Sequence, residues 1–399
     1  MTWPVAGFTS TGSKRPEALF GGRAAGVPVA MVRSAGCRVW DADGHEYLDL
    51  VMALGAVALG YGHPAVTEAV VRAVRDGGVG PLPPVLEEEV ASELVRRIPW
   101  IEQVRFLKTG AEAMAAAVRL ARTATGREAV LGCGYHGWLD WCQMGEGRGV
   151  PSGTRALYAE LPFNDPERAR EQIRRAGDTL AAVVFEPVIL GPPDPDWLAA
   201  LREETTRAGA VLIADEIKTI GRLAPGGGAE RFGFRPDLVV MAKAIANGFP
   251  LAAVGGRADL MQAADRTWIS STLATEWVAL AAARATLAVL HAERVPGHLA
   301  RVGERLMNGF RALAGRHPTV VRKVAGLPEM CCLEFHDEAV GAALAVASAR
   351  RGLLFKRSAY NFVSLAHDDA SVDQALALLA EACDEIGETV PREPGSARR

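Results

Sequence analysis

Two polar residues, each at the end of an apolar run, are the first candidates for chemistry. Asp215 ends the run VLIAD, and Lys243 follows the run LVVMA. A lysine that is desolvated at the end of a strand has a lowered pKa and suits Schiff-base chemistry. An acid in such a place is poorly solvated unless a cation, such as a protonated pyridine nitrogen, lies beside it. Considered singly, Asp215 also fits a helix N-cap or a structural ion pair, and Lys243 also fits a surface lysine with a buried stem.

Two further segments offer groups that suit a phosphate and an aromatic ring. In FLKTGAEAM a strand ends, Thr109 and Gly110 form a turn, and a helix begins near Ala111. The free N–H groups and the dipole of a helix start favour an anion, although such junctions are common. In CGYHGWLDW, Tyr135 offers a ring face for stacking. His136 either orients Tyr135, contacts substrate or has a purely structural role.

Alternating strand and helix patterns surround these residues. Short apolar runs predict strands over 103–107, 129–132, 181–186, 210–215 and 237–242. Helical patterns cover 110–123 and 197–208. This alternation predicts a mostly parallel sheet covered by helices. Such sheets bind ligands at the carboxyl ends of their strands, which is where the polar candidates lie.

The C-terminal part of the chain has a different pattern. An uninterrupted stretch rich in Ala and Leu predicts one long helix over 275–292. Beyond it, helices over 295–313 and 371–386 flank short strands over 330–335 and 361–365, which is typical of an α+β domain. The sequence therefore predicts an N-terminal segment (1–50), a large domain (51–292), a small C-terminal domain (293–387) and a flexible tail (388–399).

Composition excludes several classes of function. The 399 residues are 49% hydrophobic and 23% charged, with a formal net charge of −3. We therefore expect no nucleic acid and no membrane as partners. The six cysteines show no CxxC pair, so we expect no metal site and no disulfide framework. The N-terminus lacks the apolar stretch of a signal peptide, and we expect a cytoplasmic protein. The chain also lacks the glycine motifs of nucleotide-binding enzymes.

The order and spacing of the motifs resemble one family. Asp215 precedes Lys243 by 28 positions, and KTGAEA and YHG lie upstream in that order. DADGHEYLDL, LGYGHPAV, DEIKTIGRLAPGGGAERFGFRPDL and AKAIANGFPLAAVGGRADLM are similar to signatures of the class III, fold type I aminotransferases, which depend on pyridoxal 5′-phosphate (PLP). The glutamate-1-semialdehyde aminomutase branch is the most similar, and the resemblance runs from about residue 20 to residue 386. It implies an α/β fold in which a large PLP-binding domain, with a mostly parallel seven-stranded sheet, precedes a smaller α+β C-terminal domain. It also implies a homodimer with shared active sites.

The resemblance also implies roles for individual residues. Lys243 would form the Schiff base and shuttle a proton, and Asp215 would keep the pyridine nitrogen protonated. Ile217 and Tyr135 would cover opposite faces of the ring. The phosphate would be bound by the amides of Gly110 and Ala111 and by Thr272 of the partner subunit. Further candidates near the cofactor are His136, Glu186 and Glu216.

Departures from the family pattern lie on the substrate side. Ala111 lacks a side-chain hydroxyl, Glu276 and Trp277 replace Asn and Pro, and Ala359 stands where the aminomutase has a glutamate. The leading hypothesis is an aminotransferase that moves an amino group to a keto or aldehyde substrate, such as a sugar or a secondary-metabolite intermediate. The alternative is an isomerase of the same fold, either an aminomutase or an epimerase or racemase. The sequence does not separate them, because both use Lys243 in the same way. A PLP-binding protein without catalysis is disfavoured, because both Lys243 and Asp215 are present.

Overall fold

The computed structural model of the chain describes residues 4–143 and 149–387, so the tail predicted over 388–399 lies outside the described residues. The helices are α1 Pro16–Phe20, α2 Met52–Gly55, α3 Pro64–Arg75, α4 Val85–Arg97, α5 Gly110–Thr125, α6 Ser152–Arg155, α7 Pro166–Ala176, α8 Pro195–Arg207, α9 Gly227–Phe232, α10 Ala258–Met261, α11 Trp277–Ala292, α12 Val295–Arg316, α13 Glu338–Arg350 and α14 Asp369–Gly387. Short 3₁₀ turns cover Gly12–Lys14, Asp140–Cys142, Gly177–Thr179, Lys243–Ala246 and Gln262–Arg266. Within the described ranges, none of the helices has the length and hydropathy needed to span a bilayer.

The strands form three sheets in the described parts of the chain. They are β1 Met31–Ala35, β2 Arg38–Asp41, β3 Glu46–Asp49, β4 Gln103–Leu107, β5 Ala129–Cys133, β6 Tyr158–Glu160, β7 Leu180–Phe185, β8 Val211–Asp215, β9 Leu238–Met241, β10 Ala252–Gly256, β11 Val321–Leu327, β12 Met330–Phe335, β13 Leu353–Leu354 and β14 Asn361–Phe362. The sheet orders are β1-β2-β3-β13, β4-β10-β9-β8-β7-β5-β6 and β11-β12-β14.

The chain divides into two compact units. The first unit comprises Met1–Gly55, Leu59–His63 and Gly297–Arg399, and the second comprises Ala56–Ala58 and Pro64–Pro296. The sequence pattern separated residues 1–50 from the C-terminal domain, whereas the first unit contains both. The reason is strand pairing. β3 pairs in parallel with β13, and the Phe362 amide donates to the Leu50 carbonyl at 2.8 Å. These hydrogen bonds join segments that lie far apart in the sequence.

The second unit is built on the mostly parallel sheet that the sequence predicts. Among the described residues this sheet has seven strands, of which β9, β8, β7, β5 and β6 run parallel to one another. β10 is antiparallel to both of its neighbours, β4 and β9. Every residue of β7, β8 and β9 is buried, so helices cover both faces and these strands are continuous apolar runs.

The topology brings the polar candidates to one edge of this sheet. Tyr135 follows β5, Glu186 follows β7, Asp215 ends β8 and Lys243 follows β9. These four strands are neighbours in the order β9-β8-β7-β5. Parallel strands present their carboxyl ends at the same edge, so the four side chains form a strand-end row in that order.

The first unit contains a backbone segment of unusual conformation. Met52, Ala53 and Leu54 have φ angles of 45°, 49° and 59°, in the left-handed region that side chains disfavour. The buried Asp49 carboxylate accepts from the Val51 amide at 2.7 Å and the Met52 amide at 3.1 Å, and it accepts from the Tyr61 hydroxyl at 2.7 Å. These bonds offset part of the conformational cost of the turn.

Candidate active site

Lys243 lies at the point where β9 ends and the 3₁₀ turn Lys243–Ala246 begins. Its φ angle is 51°, which costs energy for a residue with a long side chain. The side chain is partly buried. Burial, and after it the positive charge of Lys218, lowers the pKa of the Lys243 ammonium to about 8, while the negative charges of Asp215 and Glu186 oppose that shift. Lys243 therefore loses its proton more readily than a surface lysine does.

Asp215 is paired with a histidine. The His136 Nδ1 lies 2.8 Å from Asp215 Oδ2, and both side chains are buried. The other carboxylate oxygen, Oδ1, accepts from the Ile217 amide at 3.2 Å. Because an ionised carboxylate only accepts hydrogen bonds, Nδ1 of His136 is assigned as the donor. His136 thus orients Asp215, a contact that sequence reasoning did not predict.

The start of α5 has the features of an anion site. Thr109 and Glu112 form a capping box, in which each side chain accepts from the backbone amide of the other residue. The capping box leaves the amides of Gly110 and Ala111, for which the helix itself supplies no acceptor. A Cβ on Gly110 would lie 2.7 Å from the Ile217 Cδ1, so glycine is required for this close approach.

The loop after β5 approaches the same helix start. A Cβ on Gly137 would lie 2.7 Å from the Ala111 Cβ, which places the Tyr135–Gly137 loop against α5. Tyr135 is 72% exposed, so its side chain is accessible. The Tyr135 amide donates to Glu186 Oε2 at 3.1 Å. Glu186 therefore holds the backbone of this loop.

Glu216 and Thr272 are placed differently from the other candidates. Glu216 is buried, and its carboxylate accepts from the Gly228 and Ala229 amides, each at 2.7 Å, and from the Thr219 hydroxyl. It thereby holds the first turn of α9, and burial raises its pKa to about 7. Thr272 is exposed. It takes part in none of the hydrogen bonds given above for the other candidate residues.

One of the residues that depart from the family pattern, Glu276, forms an ion pair with Lys108. Lys108 Nζ lies 2.7 Å from Glu276 Oε1. Glu276 also caps α11, because its carboxylate accepts from the Val278 and Ala279 amides at 2.7 and 2.9 Å. The charge of Glu276, which stands where the family pattern has Asn, is thus matched by the charge of Lys108.

The donor set at the strand-end row fits PLP. Lys243 supplies an amine of lowered pKa, and Asp215 supplies a buried carboxylate for a ring nitrogen. The α5 amides suit a phosphate, and Tyr135 offers an accessible ring. Ile217 can lie directly against the start of α5 because residue 110 has no Cβ.

Comparisons with known proteins identify the family. A profile of the family described as aminotransferase class-III matches residues 21–383. A glutamate-1-semialdehyde 2,1-aminomutase of Thermomicrobium roseum is 34% identical over 394 residues, covering 90% of this chain and 91% of that protein. A solved structure described as a transaminase with PLP bound has a TM-score of 0.86 and 28% identity, over 92% of this chain and 95% of that one. A glutamate-1-semialdehyde aminomutase of Pseudomonas aeruginosa PAO1 has a TM-score of 0.80 and 25% identity, over 90% of this chain and 88% of that one. The chain therefore belongs to the class III aminotransferase family.

Proposed function

We propose that this enzyme moves an amino group between carbon atoms of small molecules, with Lys243 as the residue that attaches PLP. Class III aminotransferases are PLP-dependent enzymes of fold type I, and PLP is the cofactor of this chain. The observation that carries the site assignment is the strand-end row. An amine of lowered pKa, Lys243, lies on the strand next to Asp215, a carboxylate held by His136.

Each residue of the site has a definite task in this proposal. When bound, PLP supplies an electron sink that stabilises negative charge at the carbon next to the amine. Asp215 holds a proton on the ring nitrogen, and His136 fixes the orientation of the Asp215 carboxylate. The amides of Gly110 and Ala111 bind the phosphate. Lys243 Nζ, once released by substrate, takes a proton from the substrate carbon and returns it to another atom.

The comparisons favour an isomerase as the finer assignment. The curated relatives of 33–35% identity are named glutamate-1-semialdehyde 2,1-aminomutase, which shifts an amino group within one molecule. We therefore propose an aminomutase-type reaction on a substrate that carries both an amine and a carbonyl group. The second candidate is transfer between two molecules, an amine donor and a keto or aldehyde acceptor. It is favoured by the likeness to the PLP-bound transaminase and to a β-phenylalanine aminotransferase of Variovorax paradoxus.

Absorbance spectroscopy tests the attachment residue. The wild-type apoprotein and Lys243→Ala are each titrated with PLP, and the band of the cofactor–lysine adduct is followed. We expect the band in the wild type and its loss in Lys243→Ala. Lys108→Ala is the matched control, because it also removes a partly buried lysine with an acidic partner. An identical adduct in Lys243→Ala would refute the assignment.

A single-substrate experiment separates the two reactions. The holoenzyme is mixed with glutamate-1-semialdehyde, and in parallel with a panel of other amines, one compound at a time. The amine nitrogen of each compound carries ¹⁵N. An aminomutase converts one compound repeatedly, retains the label in the product and shows no lasting loss of the adduct band. A transaminase converts its cofactor once to the amine form and stops until a carbonyl acceptor is added. The second result would favour transfer between two molecules over the aminomutase-type reaction.

We also propose a homodimer in which Thr272 reaches the phosphate of the partner subunit. The loop around Thr272 exposes Trp268 and Leu273, whose exposed fractions are 80% and 53%. Exposed apolar side chains of this size are typical of an interface. Light scattering should give twice the chain mass. Mixed dimers of Lys243→Ala and Thr272→Ala would each contain one intact site, so reassociated mixtures should recover about a quarter of wild-type activity at limiting PLP. No recovery from such mixtures would place Thr272 outside the partner's site.

A further inference from the structure

Lys218 forms an ion pair at the strand-end row that the family resemblance does not assign. Its Nζ lies 2.8 Å from Glu186 Oε1, and the exposed fractions of the two side chains are 14% and 8%. Lys218 Nζ also lies 3.3 Å from the Val188 carbonyl oxygen. A buried ion pair with a third polar contact has a fixed geometry, because neither charge finds equivalent solvation elsewhere.

This ion pair links three neighbouring strand ends. Lys218 follows β8 and Glu186 follows β7. The second oxygen of Glu186, Oε2, accepts from the amide of Tyr135, which follows β5. The carboxylate thus has one oxygen on the Lys218 ammonium and the other on the Tyr135 backbone. These two contacts run across the edge of the sheet at which Lys243 and Asp215 also lie.

We propose that Lys218 is a positioning residue of the active site, which holds Glu186 and, through it, the Tyr135 backbone in the place required to cover the cofactor. This inference rests on the proposed function, in which Lys243 attaches PLP. Without Lys218, the Glu186 carboxylate would be buried with an unmatched charge and would move toward solvent. The Tyr135 amide would then lose its acceptor.

The charge of Lys218 has a second effect, on Lys243. Four charged groups act on the Lys243 amine: Lys218 and Arg222 lower its pKa, and Asp215 and Glu186 raise it. Removal of the Lys218 charge should therefore raise the Lys243 pKa, and removal of the Glu186 charge should lower it. These shifts report the charges, whereas a change in the covering loop reports the positioning role.

The test is a pH titration of the cofactor–lysine adduct by absorbance, together with the circular dichroism that the bound cofactor acquires. We expect Lys218→Met to raise the midpoint of the titration by about 1 pH unit, the low end of the effect of a neighbouring charge. We also expect it to weaken the circular dichroism signal, because the covering loop is less fixed. Lys218→Arg keeps the charge and should restore both readings. Arg174→Met, which breaks an ion pair with the buried Glu204 between α7 and α8, should change neither.

Removal of the positive charge and removal of the negative charge should shift the midpoint of the adduct titration in opposite directions. Glu186→Gln should lower the midpoint, and the double variant Lys218→Met/Glu186→Gln should lie between the two single variants. If Lys218→Met fails to fold, Glu186→Gln decides alone, and a midpoint that does not fall overturns the proposal. A wild-type midpoint in Lys218→Met, with the adduct formed normally, also overturns it. Failure of the proposed function is a separate result, namely an adduct that persists in Lys243→Ala.

Discussion

The lowered pKa of Lys243 predicts how fast the apoprotein captures PLP at different pH values. Only the neutral amine attacks the cofactor carbonyl. With a pKa of about 8, instead of 10.5, Lys243 is about 9% neutral at pH 7 rather than about 0.03%. The rate of capture at pH 7 should therefore be about 300-fold higher than for a lysine of ordinary pKa and equal nucleophilicity. The rate should rise about tenfold from pH 6 to pH 7 and reach a plateau above pH 9.

Stopped-flow absorbance measures this profile directly. The apoprotein is mixed with PLP from pH 6 to pH 10, and the second-order rate constant is divided by that of Nα-acetyl-lysine under the same conditions. This division removes the ionisations of the cofactor itself. Lys243→Ala corrects for reaction at other lysines. Because the reference amine has an ordinary pKa, the ratio should be about 300 and constant below about pH 8, and it should fall about tenfold per pH unit above pH 8. A ratio that stayed constant up to pH 10 would refute the reasoning, because Lys243 would then have an ordinary pKa.

Three further predictions concern neighbouring groups. Gly110→Ala adds a Cβ 2.7 Å from Ile217 Cδ1, so we expect a loss of about 1–3 kcal/mol of stability and weaker PLP binding. Thermal melts and PLP titrations measure the two effects. The control is Gly153→Ala, whose Cβ meets no atom within 4 Å and which should change neither quantity. Glu216 has a raised folded pKa of about 7, against 4.5 when unfolded, so the stability it contributes is complete below pH 4.5 and is lost as the pH rises to 7. Relative to Glu216→Gln, the wild type should lose about 3 kcal/mol across that window in urea titrations, and parallel curves would contradict this. Asp215→Asn should keep the PLP adduct but slow its reaction with amines about a hundredfold or more in stopped-flow absorbance, and an unchanged rate would exclude Asp215 as the partner of the ring nitrogen.

Local sequence patterns were sufficient for the elements with strong side-chain preferences. The runs QVRFL and MCCLEF predict strands whose bounds are those of β4 and β12. β10 was missed, because AAVGG is rich in Ala and Gly and has a weak strand preference of its own. Its conformation comes from pairing on both sides, with Ala253 opposite Phe106 of β4 and Met241 of β9.

In the site, too, the sequence indicated single residues from their local context but not the contacts between distant residues. Lys243 and Asp215 were identifiable as single residues, because each ends an apolar run at the edge of a sheet that binds ligands. The partners of the acidic residues were not identifiable from the sequence, since His136 is 79 positions away from Asp215 and Lys218 is 32 positions away from Glu186. No periodicity or motif specifies which side chains meet at neighbouring strand ends. The assignment of the residues to PLP binding remains a prediction, which the variants above test.

The antiparallel strand β10 determines when the cofactor site can first be assembled during synthesis. β4 leads directly into α5, whose first amides are the proposed phosphate site, and β4 pairs with β10. Leu107 and its partner Ala252 are about 145 positions apart, so β4 leaves the ribosome about 7–30 s before its partner strand at usual elongation rates. During that interval a nascent chain has an unpaired strand edge and no complete phosphate site. We therefore expect this unit to bind free PLP only after residue 256 has emerged, so that the cofactor does not guide the folding of β4.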